Sequence, residues 1–156
     1  MTRIEAIRAQ LLAWFRAEAR DLPFRRTRDP YAVWLSEIIL QQTRVDQGLP
    51  YYERFLQALP TVQALAAASE DTVLKLWEGL GYYGRARHLQ RAAREVVERF
   101  NGRVPDTLAD LLSLSGIGRY TAGAILSIAF EKPEAVLDGN VIRVLSRMFH
   151  ITDDVR

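Results

Sequence analysis

Apolar positions recur three or four apart along most of the chain, the spacing of α-helices rather than the alternation of strands. Ile4, Ile7, Leu11 and Phe15 form the first such stripe, and Thr2 followed by Glu5 reads as a capping box in front of it. The polar stretch RDLPFRRTRDP (20–30) interrupts the pattern, and Asp29-Pro30 reads as an N-cap and first helical residue. YAVWLSEIIL (31–40) predicts a nearly all-apolar helix. Thr43 is placed to cap the next segment, which Pro50 is expected to kink or restart. Pro60-Thr61 and Ser69 open two short helices. The glycines of EGLGYYGRARHL (78–89) break the period, and a long helix then runs to about Phe100. Pro105-Asp106 starts another that ends near Ser113. A two-glycine bend follows, then a helix from about Arg119 to Phe130, and Asp138 precedes the helical run VIRVLSRMF. No convincing alternating strand, repeat or low-complexity tract occurs, so an all-α fold in a single domain is expected.

Composition narrows this picture only at a few points. With 156 residues and 49% hydrophobic residues, the chain has enough apolar material for one real core. It contains no cysteine, which excludes disulfides, thiolate zinc sites and iron–sulfur ligation by its own side chains. The N-terminus lacks the signal-peptide pattern, and no apolar run approaches the ~20 residues of a membrane span. A soluble, cytoplasmic protein with no membrane partner is therefore expected. Net charge is +2, too small to announce a nucleic-acid binder. Only Lys75 and Lys132 among the 21 basic residues are lysines. Arginine is the better phosphate fork, but a codon bias explains the count equally well.

Four constellations could carry chemistry. Gly116-Ile117-Gly118 between two helices can form either a plain turn or an anion-binding nest reinforced by the helix N-terminus. Glu37 is a lone carboxyl on an apolar helix. It is either a general acid kept protonated by burial or a helix-edge glutamate paired with an arginine. Asp138 reads as a helix cap, and gains a charge-stabilising role only if it shares a cleft with Glu37. Gly81-Tyr82, beside Arg85 and Arg87, places an aromatic ring on a bend where it could wedge between bases or join the core. Gln41 and Gln42 could probe base edges. His88 and His150 have no partner at metal-ligand spacing.

Taken in order, LPFRRTRDPY, WLSEIILQQT, LWEGLGYYGRARHL, LSGIGRYTAGAIL and LDGNVIRVLSR resemble the helix-hairpin-helix DNA glycosylases. The resemblance is greatest to the branch that removes adenine mispaired with 8-oxoguanine or guanine. It implies a six-helix barrel over about 21–130, with 1–20 and 131–156 belonging to a second lobe that is truncated before the iron–sulfur region. It also implies a monomeric, bacterial, nucleoid-associated repair enzyme acting on double-stranded DNA. By resemblance, Glu37 protonates the flipped base, Asp138 stabilises the oxocarbenium-like sugar, and Asn140 supports the carboxylate or the water. Arg20, Phe24, Arg25 and Leu40 surround the base. Gln42 and Tyr82 enter the duplex, with Gln41, Thr43, Gly81, Gly116, Gly118 and Arg119 also on DNA. The carbonyls of Leu112, Leu114 and Ile117 correspond to a monovalent-cation site. Tyr120 stands where the endonuclease III branch has a Schiff-base lysine, which implies hydrolysis without strand cleavage.

The chain departs from that family at Phe24, usually tryptophan, and at Ser115, usually proline. The larger departure is length. Full members continue into four cysteines holding a [4Fe–4S] cluster, a base-pocket acidic residue and a domain that recognises 8-oxoguanine. The apolar face of the N-terminal helix is therefore expected to lie exposed, and activity is expected to be weak. Competing readings are an endonuclease III-type pyrimidine-lesion glycosylase/lyase, a DNA-binding fragment without turnover, and a helical interaction domain.

Overall fold

Eight of the eleven residues of the helix Pro30–Leu40 are buried, so this element is the axis of the molecule. The computed structural model describes residues 2–153, among which there are nine α-helices, one 3-10 turn at Pro23–Arg25 and no strand. The helices are α1 (Arg3–Glu18), α2 (Pro30–Leu40), α3 (Val45–Ala58), α4 (Val62–Ala67), α5 (Glu70–Trp77), α6 (Gly84–Phe100), α7 (Leu108–Leu112), α8 (Arg119–Ala129) and α9 (Gly139–Phe149). The all-α expectation holds.

Helix α2 packs against α3, α6 and α8, while α6 also covers α4 and α5. Trp34, Phe55 and Trp77 are fully buried at these junctions, and Phe55 meets Trp77 edge to face at 5.8 Å. Each such side chain contributes roughly 1.5–3 kcal/mol of apolar burial. The start of α2 is fixed locally: the Asp29 carboxylate accepts from the N–H groups of Tyr31 and Ala32, and Pro30 occupies the first turn. The capping box of α1 is present as expected, with Thr2 and Glu5 each bonding the other's backbone N–H.

Three local expectations need correction. Pro50 does not restart α3, which runs unbroken from Val45 to Ala58. The N–H that Pro50 lacks would have bonded Asp46 in the exposed first turn, where the orphaned carbonyl reaches water. Thr43 does not cap α3; Arg44 holds the cap position with no side-chain bond, because the Thr43 hydroxyl is engaged by Gln41 and Arg85. Helix α7 starts at Leu108, two residues later than expected. Its cap is Thr107, while Asp106 turns outward to Lys132.

Helices α1 and α9 contrast with this core. Neither has a buried residue, and Trp14 and Val144 are 59% and 50% exposed. The exposed face expected on α1 is thus present, and α9 carries a second one. Arg3 links the two helices, donating to the Met148 carbonyl at 2.9 Å and lying over the Phe149 ring.

Candidate active site

A cleft of about 1260 Å³ opens along the exposed edge of α2, and elements far apart in sequence meet there. Glu37 comes from the middle of α2, Tyr120 from the first turn of α8, and Asp138 and Asn140 from the start of α9. Arg20, Phe24, Arg25, Leu40, Gln41, Gln42 and Tyr82 line the same cleft. Thr43, Gly81, Gly116, Gly118 and Arg119 lie outside its lining, as do Leu112, Leu114 and Ile117.

Burial holds the Glu37 carboxyl above its ordinary value. Among the described residues it has no ion-pair partner within bridging distance, so the arginine-paired alternative does not apply. Burial also pushes the Tyr120 phenol up, helped by the negative charges of Glu37 and then Asp138. Tyr120 therefore lies close enough to both carboxyls to feel each of them. Asp138 serves as the N-cap of α9, its Oδ1 accepting from the Val141 N–H at 2.8 Å. That bond fixes the carboxylate while its other oxygen stays available. The cap and cleft readings of Asp138 hold together.

The remaining cleft residues are held in different ways. Phe24 packs edge to face on Tyr52 at 5.7 Å, which orients its ring at the cleft wall. Arg25 donates to the Arg20 carbonyl and lies over Phe15. Gln41 turns inward, its amide donating to Thr121 at 3.3 Å, whereas Gln42 is exposed. Gln42 and Tyr82 both have positive φ, 54° and 47°. Tyr82 is 69% exposed, so it is not a core tyrosine.

The hairpin between α7 and α8 is built from its glycines outward. Gly116 has φ +73°, and a Cβ there would lie 2.7 Å from the His88 Cβ. Gly118 has an ordinary φ of −91°, and a Cβ there would meet nothing within 4 Å. Gly118 is the N-cap of α8 and offers no side-chain cap, so the first N–H groups of that helix have no cap partner. Arg119 is exposed and only loosely paired with Glu134 at 3.9 Å.

Two positioning residues escape sequence reasoning. Arg85 contacts the end of α2 and the Gly81 loop through its guanidinium. The Glu95 carboxylate accepts from both the backbone N–H and the hydroxyl of Ser115, at 2.8 and 2.6 Å, tying the hairpin to α6. The only available signal for Glu95 was Ser115 itself, since a proline there could donate neither bond.

The [4Fe–4S] cluster implied by the resemblance does not fit these residues. The chain has no cysteine, and among the described residues no group of three His, Cys, Asp or Glu could hold a metal ion. Among the described residues no helix is long and apolar enough to cross a membrane.

Comparison with known proteins agrees with this fold. Residues 35–155 match the model of the HhH-GPD superfamily of base excision DNA repair proteins. The adenine DNA glycosylase of Rattus norvegicus is 51% identical over 97% of this chain, which spans 31% of that relative's length. The structure of a thermostable thymine-DNA glycosylase superposes with a TM-score of 0.86 at 30% identity, covering 91% of this chain and 66% of that one. A non-covalent endonuclease III–DNA complex gives a TM-score of 0.82 at 23% identity over all of this chain and 73% of that one, a likeness of fold. The all-helical fold and the match over residues 35–155 lead to one conclusion: the chain belongs to the HhH-GPD superfamily of base excision DNA repair proteins.

Proposed function

We propose that this chain is the catalytic helical part of a monofunctional adenine DNA glycosylase acting on adenine opposite 8-oxoguanine or guanine. The observation that carries the reading is the unpaired Glu37 carboxyl, raised by burial, in one cleft with Tyr120 and Asp138. The chain spans about a third of the length of the curated adenine glycosylases it matches, so the activity of the whole protein is part of the proposal.

The reaction requires the adenine to leave the duplex and enter the cleft. Glu37, its carboxyl raised above the ordinary value by burial, donates a proton to the purine, at N7, making the base a better leaving group. The glycosidic C–N bond then breaks, its electron pair leaves with the base, and positive charge develops on the sugar. The Asp138 carboxylate stabilises that charge. Asn140 positions the carboxylate or the incoming water, which adds to the sugar carbon and loses a proton. Free adenine and an abasic site in an intact strand result. Tyr120 has no amine to form an imine, which disfavours the glycosylase/lyase alternative.

Arg20, Phe24, Arg25 and Leu40 frame the base in this reading. Gln42 and Tyr82 enter the duplex, and the N–H groups around Gly116 and Gly118 bind the backbone with Arg119. The carbonyls of Leu112, Leu114 and Ile117 would hold a monovalent cation beside that grip. The same reading divides the chain into a six-helix barrel at about 21–130 and part of a second lobe at 1–20 and 131–156, acting as a monomer.

The test is single-turnover excision from duplexes containing adenine opposite 8-oxoguanine, with alkali added to reveal abasic sites. Alkali-dependent cleavage that disappears in Glu37→Gln is expected. Strand cleavage without alkali, or borohydride trapping of the chain on DNA, refutes the monofunctional reading. Undiminished activity in Glu37→Gln refutes the assignment of the acid.

A further inference from the structure

Gln42 and Tyr82 are 40 positions apart, yet both are exposed non-glycine residues at positive φ, and both line the cleft. Such backbone persists only where the surroundings over-determine it. One side chain connects the two places. The NH1 of Arg85 is shared among the carbonyls of Ile38, at 3.1 Å, Ile39, at 3.0 Å, and Gln41, and the Thr43 hydroxyl at 3.3 Å. Its NH2 reaches Thr43 again and the carbonyls of Leu80 and Gly81, the latter at 3.3 Å. Arg85 therefore grips the residue on each side of Gln42 and the residue directly before Tyr82. Its guanidinium also lies between rings, 5.0 Å from Trp77 and 5.7 Å from Tyr82. Trp77 in turn donates its indole N–H to the Gly81 carbonyl at 2.8 Å.

The charge is placed to suit this task. The last carbonyls of α2 have no partner within the helix and form its negative end. A guanidinium offers several donors in one rigid plane, which the single point charge of lysine does not. The helix that carries Glu37 is thus capped by Asp29 at one end and by Arg85 at the other.

We infer that Arg85 is a positioning residue that sets Gln42 and Tyr82 as one rigid pair of duplex probes, in register with the Glu37 helix. The inference rests on the glycosylase reading above, in which those two residues enter DNA. Insertion of either probe is then coupled to the other and to the placement of the acid, because the backbone next to each of the three is bonded to one guanidinium.

Two readouts on the full chain test this. The first is hydrogen exchange in the free protein, comparing wild type, Arg85→Met and Arg85→Lys. Faster exchange in both 41–44 and 80–83, with the α8 core unchanged, is expected for Arg85→Met, and a smaller effect on the same two segments for Arg85→Lys. The second uses a duplex with adenine opposite 8-oxoguanine and 2-aminopurine beside the 8-oxoguanine, whose fluorescence rises when an inserted side chain unstacks it. Arg85→Met is expected to bind with little change in affinity, lose that rise, and excise base on the order of 100-fold more slowly. A full rise in Arg85→Met, or loosening of only one segment, overturns the inference. If Arg85→Met fails to fold, Arg85→Lys decides: wild-type exchange and a wild-type fluorescence rise in it overturn the inference. If the wild type binds DNA with no fluorescence rise, the reading of Gln42 and Tyr82 as probes fails and takes the coupling role of Arg85 with it. That outcome differs visibly from a failure confined to the Arg85 variants.

Discussion

The two hairpin glycines should respond to alanine in opposite ways, although only an isoleucine separates them. At Gly116 the backbone sits at φ +73°, a region that costs an L-residue roughly 1–2 kcal/mol. An added Cβ would also come within 2.7 Å of the His88 Cβ and 3.2 Å of its Cγ. The Cβ of His88 is fixed to α6 and cannot rotate away, so the hairpin or the helix must shift, at about 1–3 kcal/mol by analogy with overpacked cores. Gly116→Ala should therefore destabilise by about 2–5 kcal/mol, a large share of the roughly 5–15 kcal/mol that holds a domain together. At Gly118, φ is ordinary and nothing lies within 4 Å of the new carbon. The gain from a stiffer unfolded chain, about 0.4–1 kcal/mol, is offset by alanine being the poorer N-cap. Gly118→Ala should thus melt in urea near the wild-type midpoint. Its methyl group nevertheless stands in front of the uncapped amides, so duplex affinity measured by anisotropy should fall. Wild-type stability in Gly116→Ala would refute the steric argument. Wild-type DNA affinity in Gly118→Ala would refute the backbone grip.

Burial raises the Glu37 carboxyl above its ordinary 4.5, so its contribution to stability is complete below that pH and is lost as pH rises through the folded value. Glu37→Gln should flatten that part of the stability profile, melt higher than wild type at neutral pH, and lose about 10²–10⁴-fold in excision rate. A wild-type pH profile in the mutant would show that the carboxyl is not the buried titrating group. Glu95→Ala removes both bonds to Ser115 and should cost about 1–3 kcal/mol in urea unfolding, with weaker duplex binding as the hairpin loosens. An unchanged midpoint would mean the hairpin is held by packing alone. Arg26→Ala breaks an exposed, solvent-screened pair with Asp21 and should leave the urea midpoint near that of the wild type. A clear drop would mean that the polar loop contributes more than its exposure implies.

Much of the fold was written in local signals that no distant contact overrides. Asp29-Pro30, Thr61, Ser69 and Asp138 each cap the helix they precede, because a side-chain oxygen beside a free N–H decides that geometry within four residues. Two of the three failures share a cause. Thr43 was drawn away from its capping role by Arg85, and Thr107 rather than Asp106 starts α7 because Lys132 engages Asp106. Both diversions come from side chains more than 20 positions away. At the site, the isolation of Glu37 on an apolar helix was visible as a pattern. The grip of Arg85 was not, since it is made almost entirely with backbone carbonyls, which every residue supplies alike.

The two carboxyls of the cleft are mounted on elements of very different security. Glu37 belongs to the most enclosed helix, whereas Asp138 rides at the end of α9, none of whose side chains is buried. Elements with few buried apolar contacts open locally at a free energy well below that of global unfolding. The two carboxyls, proposed as proton donor and answering charge, can therefore part company while the core remains intact. The separation between them is a thermodynamic variable, governed by how firmly the apolar side of α9 is covered. Heat or denaturant should erode the electrostatics of the site first, and the architecture only afterwards.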